Sequence, residues 1–316
     1  MRALSTQWRE VVGPDEEARH ARQAEVLGQM QAAKSAKHGK GRLLHRKAVL
    51  SARGSLEVLD GLPEAARGGV FAKPGRYDAI VRLSNGGPDV QSNRKPDIRG
   101  FALKILGQQG ESALGGDTDH QDFLMINHES FASPNSGEFV AFLQAASGGP
   151  LRLIGTLIRL HGFGGAFALL KRFAGVVGKP FSGFAREAFN TCLPVSVGPY
   201  AARVLLRPVA ATPSRDPDPE KDMRLRLAAG PVEYELALQF FVDEAITPIE
   251  DPTVVWPQTE SPPVVVARLR LDAEASGVEE MRFDPWSGLA QHRPLGEIMR
   301  ARKHAYYISQ KGRGAA

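Results

Sequence analysis

YDAIVRLSN (residues 77–85) and, eleven residues further on, PDIRGFALKI (96–105) are the stretches on which the fold turns. Both are short apolar runs punctuated by Gly, Pro, Asn and Asp, the pattern of β-strands. In the first, strict alternation places Asp78, Ile80, Arg82 and Ser84 on one face, because successive strand side chains point to opposite sides. An arginine and a serine sharing a face with an isoleucine indicate a polar pocket on an otherwise apolar sheet. LLHRKAVL (43–50), SLEVL (55–59) and DFLMINH (122–128) continue the texture on either side. After residue 201 it returns in MRLRLA (223–228), PVEYELALQFFV (231–242) and VVVARLRL (264–271), with Val265, Ala267, Leu269 and Leu271 on one face. The intervening ATPSRDPDPEKD (211–222), rich in Pro and Asp, reads as a surface loop. About eight strands result, enough to close an antiparallel barrel without edges.

Helices are expected around the strands. After Pro14 the run DEEARHARQAEVLGQMQAAKSA has acidic residues at its start and basic ones at its end, matching the helix dipole. Val26, Leu27 and Met30 give its apolar stripe, and Gly39 and Gly41 end it. EFVAFLQAA (138–146) is a short amphipathic helix, and Pro294 to Lys311 is a last one. The apolar, glycine-rich LRLIGTLIRLHGFGGAFALLKRFAGVV (151–177) carries basic punctuation. It reads either as a helix pair packed on the barrel or as an element that meets a membrane surface or admits a lipid. The fold class is therefore α+β, an eight-stranded barrel with flanking helices. A single domain (1–316) is expected, made of an N-terminal helical segment (1–41), a first barrel half (42–136), a helical insertion (137–200), a second barrel half (201–290) and a final helix (291–316).

Composition narrows the function classes. Of the 316 residues, 42% are hydrophobic and 24% charged, ordinary for a globular domain and far from collagen-like or disordered compositions. The net charge of +5 is mildly basic, but the cations are dispersed rather than striped, so no nucleic-acid partner is expected. A pocket that neutralises carboxylates is another use for arginine. One cysteine, Cys192, allows no disulfide and reads as a buried, inert thiol. The N-terminus lacks the apolar core of a secretion signal and no uninterrupted apolar run of about 18 residues exists, so a cytoplasmic protein without a spanning helix is expected.

Two constellations carry chemistry. Arg302 and Tyr306 are four apart on the last helix, on a face shared with Leu295, Ile298 and Met299. A cation one turn away favours a phenolate, an anionic ligand suited to a ferric centre; an isolated pair of this kind is also a common packing contact. His45 lies in an apolar strand three residues after Arg42. A serine hydroxyl such as that of Ser84 can fix which imidazole nitrogen faces a substrate.

Together these segments resemble the haem catalases. GRLLHRKAV (41–49) resembles the Arg-x-x-His segment that supplies a propionate-binding arginine and the distal histidine. YDAIVRLSN resembles the segment with a second propionate arginine and the serine behind that histidine. PDIRGFALKI resembles the Asp-x-Arg-Gly-Phe-Ala-x-Lys run, here Asp97, Arg99, Gly100, Phe101, Ala102 and Lys104. ARKHAYYISQKGR (301–313) resembles the proximal Arg-x-x-x-Tyr with a further arginine, giving Arg302, Tyr306 and Arg313. The four come in the family's order from Arg42 to the C-terminus, and in length the chain is most similar to the small catalase-related peroxidases. The resemblance implies haem b with Tyr306 on iron, His45 and Ser84 as catalytic groups, and Arg42, Arg82 and Arg313 on the propionates. Arg302 would hold the tyrosine ionised, and Phe131 is either a ring stacked on the macrocycle or core packing. It further implies peroxide reduction with a small organic donor and weak catalase activity, in a homodimer. A fatty-acid hydroperoxide isomerase or dehydratase is the alternative enzyme, and a haem or lipid carrier without turnover a third reading. The family's distal asparagine is missing from its place, and Asp119, His120 or Gln121 can stand in.

Overall fold

The computed structural model describes residues 2–210 and 212–315; Met1, Ala211 and Ala316 lie outside it. Among the described residues nine strands form one antiparallel sheet: β1 (Ala48–Val58), β2 (Gly75–Asn85), β3 (Arg99–Glu111), β4 (Asp117–Ile126), β5 (Phe189–Asn190), β6 (Val195–Val197), β7 (Tyr200–Pro208), β8 (Val232–Phe240) and β9 (Val264–Glu274). The order β5-β4-β3-β2-β1-β9-β8-β7 is closed by a β5–β7 pairing, so eight strands make a barrel and β6 extends it beside β7. The closing seam is short, with Ile126 of β4 opposite Asn190 of β5 and Phe189 and Asn190 of β5 opposite Leu206 and Leu205 of β7. Leu56, Val81, Leu83, Leu103, Val204, Leu236, Leu238 and Leu269 point inward at 0% exposure and form the principal core.

Among the described residues five α-helices accompany the barrel: α1 (Glu16–His38), α2 (Ser136–Ser147), α3 (Pro150–Gly178), α4 (Pro219–Ala229) and α5 (Glu297–Arg313). α1 and α5 pack against each other and α2 touches both. The start of α5 is tied down by acids from elsewhere. Arg300 pairs with Glu10, Glu16 and Glu250, and Glu297 accepts from a His20 ring nitrogen and from the Ser136 amide and hydroxyl.

Three local expectations are corrected. MRLRLA is not a strand but the body of α4, capped by Asp218, whose side chain accepts from the amides of Glu220 and Lys221; the expected surface loop accordingly ends before Pro219, and its first residue, Ala211, is outside the described residues. LLHRKAVL and SLEVL are not two strands. β1 runs unbroken through Gly54, where a Cβ would lie 1.8 Å from the Arg270 carbonyl oxygen of β9. That glycine answers a close backbone approach at a register shift rather than breaking the strand. Finally, α3 as a whole passes the length and composition test for crossing a membrane, which the sequence did not lead one to expect, but a non-helical Gly162 divides it into two shorter arms.

Candidate active site

The cavity of interest lies on the outside of the barrel, roofed by helices. In register, Ser84 of β2 faces Gly100 of β3, which faces Ile126 of β4; one step along, Arg82 faces Ala102 and Ala102 faces Leu124. These residues, the outward set of strands whose other face is core, border a cavity of about 240 Å³. α1 contributes Leu27 and Gln31, α2 contributes Phe139 and Val140, and α5 contributes Arg302, Tyr306, Gln310 and Arg313. All eight site residues singled out in the sequence — Arg42, His45, Arg82, Ser84, Phe131, Arg302, Tyr306 and Arg313 — border this one space.

His45 is not within a strand, as the sequence suggested, but in the segment before β1, with a φ of +50°. Such a conformation is uncommon outside glycine and persists only where surroundings enforce it. The His45 amide donates to Gly86 O at 2.9 Å, and Arg82 donates to His45 O at 3.0 Å. Because Arg42 and His45 both precede the strand, alternation does not separate them. The ring nitrogen Nδ1 sits 3.0 Å from Ser84 Oγ. Gly100 makes the room, since a Cβ there would lie 2.4 Å from Nδ1 and 2.6 Å from Ser84 Oγ. The open part of the ring faces the cavity rather than bulk water. Burial, reinforced by Arg82, Arg302 and Arg42, pushes the imidazole down to about 3, so it is neutral at ordinary pH.

Across the cavity, Arg302 donates to the Tyr306 hydroxyl oxygen at 2.9 Å. The spacing of four residues thus produces the contact the sequence led one to expect. Arg42, Arg82 and Arg313 converge with little to balance them. Among the described residues their ion pairs reduce to Arg82 with Glu279 at 3.5 Å, and Glu279 is 57% exposed. Burial first, then the neighbouring Arg42, brings Arg82 and Arg313 down to about 10. The buried Nε atoms of both are without hydrogen-bond partners. Arg42 spends its donors on the backbone oxygens of Glu279 and Met281. A buried donor left unpaired is costly. The cluster is therefore built for an anionic group.

Phe131 is half-buried at the cavity wall and packs on Phe139, ring centroids 5.0 Å apart. Cys192 also borders the cavity; burial pushes its thiol up to about 12, in keeping with the inert role expected of it. Asp119, His120 and Gln121 do not reach the cavity, which corrects the expectation that one of them replaces the missing amide. His120 is held by Asp119 and Ser287, and Gln121 by Asp122 O and the Leu289 amide. The wall next to His45 carries Ala102, Leu124 and Ile126 instead. Arg99, quoted with the family run, is a structural hub bonded to Asn85, Asn93 O and Lys95 O.

One polar relay was not foreseen. Lys104 donates to Asp122 at 2.6 Å, Asp122 accepts from the Asp284 amide, and Gln310 of α5 donates to Asp284 at 2.7 Å. Burial raises the Asp122 carboxyl to about 6, with Lys104 opposing. The chain of bonds fixes α5 against β3 and β4. Lys104 could be read from the sequence, but its partner Asp122 lies 18 residues away and the next member of the relay, Asp284, 180 residues away.

A closed eight-stranded antiparallel barrel, roofed on one outer flank by helices over a largely apolar cavity that holds a cluster of arginines, is the catalase-type fold. Among solved structures, this chain is similar to a fungal catalase at a TM-score of 0.70 with 18% identity, covering 90% of this chain and 62% of that one. Catalase A from Saccharomyces cerevisiae matches at 0.66 with 16% identity, over 89% of this chain and 63% of its own. A bacterial catalase matches at 0.66 with 14% identity, over 99% and 63%. The chain thus spans under two thirds of the length of these catalases, and at such identities the likeness is one of fold. No family profile matches the chain, and no curated protein matches it in sequence.

Proposed function

We propose that this protein is a haem-dependent peroxidase, reducing hydrogen peroxide or an organic hydroperoxide with electrons from a small organic donor. The observation that carries the reading is the unbalanced arginine cluster, with Arg82 and Arg313 each holding an unpaired buried Nε, in one cavity with the Arg302–Tyr306 and His45–Ser84 pairs. These residues fit haem b. Arg42, Arg82 and Arg313 would pair with its two propionates through charge-assisted bonds, and Tyr306, whose oxygen accepts from Arg302, would ligate its iron. When bound, the group supplies the two-electron oxidising chemistry that no side chain here has.

The overall reaction cleaves the O–O bond of a hydroperoxide and consumes two protons and two electrons, giving an alcohol (water, from hydrogen peroxide) and a water. His45 is the group that moves a proton. With its Nδ1–H donating to Ser84 Oγ, Nε2 carries the lone pair, takes the hydroperoxide proton and delivers it to the departing oxygen. Neutrality of the ring at working pH is what this role demands. The apolar wall of Ala102, Leu124 and Ile126 replaces a hydrogen-bonding amide beside His45, which favours an organic arm on the peroxide and a peroxidase over a catalase.

The absorption spectrum of haem-loaded protein, with and without Tyr306→Phe, tests the ligand; an unchanged high-spin ferric spectrum in the variant refutes it. Steady-state rates with hydrogen peroxide alone and with a donor test the activity. Donor-dependent turnover is expected, and rapid oxygen evolution without donor would make the protein a catalase. Isomerisation or dehydration of fatty-acid hydroperoxides is the second reading, favoured by the cavity's apolar residues Leu27, Leu43, Val140 and Ile298. Product analysis separates it from reduction. A Soret band without any turnover would leave a carrier.

A further inference from the structure

Away from the cavity, α3 is the least covered element of the molecule. Of its 29 residues only Leu157, Ala166, Leu169 and Phe173 are buried. At Gly162 the backbone leaves helical geometry, with φ 68° and ψ 176°, dividing α3 into two arms, 150–161 and 163–178. Leu157 of the first arm shares a cluster with Ala166, Leu169 and Phe173 of the second, so the arms share one buried face. At 1.5 Å per residue they are roughly 18 and 24 Å long, and neither reaches the ~30 Å of a bilayer's hydrocarbon core.

The outward faces are apolar and ordered. In the second arm Phe163, Phe167, Ala174 and Val177 share one stripe of the helix with Leu170, which is half-buried and also packs on the inner cluster. Phe163 is 80% exposed and Phe167 70%. In the first arm Leu151, 87% exposed, and Ile154 form the corresponding stripe with the half-buried Ile158. Arg152, Arg159 and Lys171 flank these stripes, and Arg172 completes four cations on α3. From Phe139 to Arg186 there is no Asp or Glu at all. Among the described residues none of the four cations has a carboxylate partner, though much of the rest of the surface is laced with ion pairs.

We propose that α3 seats the protein on the surface of an anionic lipid bilayer, its apolar stripes in the headgroup–acyl boundary and its cations on the lipid phosphates. Exposed phenylalanines that would be a liability in water are satisfied there, and unpaired cations find their counter-charge. A bilayer fits better than a second copy of this chain, because two copies of an all-cationic face repel. The seat is coupled to the cavity. Phe142 of α2 stacks on Phe173 of α3 with centroids 3.6 Å apart, while Phe139 and Val140 of the same α2 border the cavity. The wall of the cavity is thus one helix away from the lipid.

Co-sedimentation with vesicles tests this, using phosphatidylcholine alone and phosphatidylcholine with about one third phosphatidylserine. The protein is expected to pellet with the anionic vesicles, and about tenfold less with neutral ones or in high salt. Phe163→Asp with Phe167→Asp is expected to cut binding at least tenfold at an unchanged melting temperature, both side chains being exposed. Arg159→Gln and Lys171→Gln should each weaken it by about fivefold. Protein that stays in the supernatant, or a double variant that pellets like the wild type, overturns the proposal. So does a lipid-free dimer that the double variant dissociates, which would assign the face to a second copy. Partition is read without peroxide or turnover, so its failure is distinguishable from failure of the catalytic reading.

Discussion

Along β2 and β3 one set of side chains turns into the barrel and the other out to the helices. Inward are Val81, Leu83, Phe101, Leu103 and Ile105, each at 1% exposure or less; outward are Arg82, Ser84, Gly100, Ala102 and Lys104. The inward set is all hydrocarbon and closes with the other six strands into one core. The outward set is small or polar, and each polar member is engaged by something distant in sequence: Ser84 by His45, Lys104 by Asp122, Arg82 by the backbone before β1. A strand's two-residue period thus lets a few consecutive residues serve two purposes that conflict, apolar burial on one side and buried charge on the other. Substitutions on the two faces should separate stability from chemistry.

The largest effect is expected on the outer face. His45→Asn keeps a residue type that tolerates positive φ and removes the group proposed to move the proton. Turnover of a hydroperoxide should fall roughly 10²–10⁴-fold, about 3–5 kcal/mol in the barrier, with the melting temperature little changed. A variant of wild-type kcat/KM would remove His45 from the mechanism. On the inner face Leu83→Ala should do the reverse. Leu83 is fully buried, so unfolding by urea should show a loss of about 2–5 kcal/mol, while the folded variant keeps its rate constants. Equal damage to both properties in either variant would show that the two faces are not separable.

What the sequence revealed follows the same division. The alternation of YDAIVRLSN announced an arginine and a serine facing one way, and the structure places both on the cavity. MRLRLA misled because its alternation of apolar and basic residues is real yet irrelevant. The buried positions of α4 are Pro219, Asp222, Met223, Arg226 and Leu227, a helical spacing. Two of these five are charged and pair with each other at 2.9 Å, so hydropathy conceals the period. The start signals are Asp218, Pro219 and Glu220, and Gly230 marks the end. The apolar neighbours of His45 read as a strand; its positive φ goes with backbone bonds to Gly86 and Arg82, which no local pattern discloses. Residues 119–121 precede an apolar run and so read as a loop that could reach the cavity, but they belong to β4 itself and register carries them past it. Long-range pairing is what a single sequence withholds.

A smaller effect refines the outer face. Ser84→Ala removes the acceptor from His45 Nδ1 while leaving the ring and its surroundings, and a group that orients a reacting side chain is typically worth about 10–100-fold. The loss should appear in kcat more than in KM, and Ser84→Thr should recover part of it, since the hydroxyl is retained. An effect on stability alone would assign Ser84 to packing.

The smallest effect concerns how the helical roof is held. The inner core carries no charge, so its contribution should not depend on pH, whereas α5 is fastened through carboxylates. Burial works against the Glu297 charge, yet the His20 ring and the Ser136 hydroxyl and amide hold its carboxyl down to about 2. A carboxyl lower in the folded than in the unfolded chain adds stability above its usual value near 4.5, and that stability is lost as the pH falls towards about 2. Partial solvent screening reduces the contribution to about 1–2 kcal/mol. Glu297→Gln should therefore melt below the wild type at pH 7, and the gap should narrow progressively below pH 4.5 and close near pH 2. The reason lies in the two faces. Acid protonates the bonds that pin α5, and with it Tyr306 and Arg302, over the cavity, while the hydrocarbon beneath β2 and β3 has nothing to titrate. Spectra of the haem-loaded protein recorded along the same acid titration should therefore change before circular dichroism of the barrel does. Simultaneous loss of both signals would mean that roof and barrel unfold as one unit.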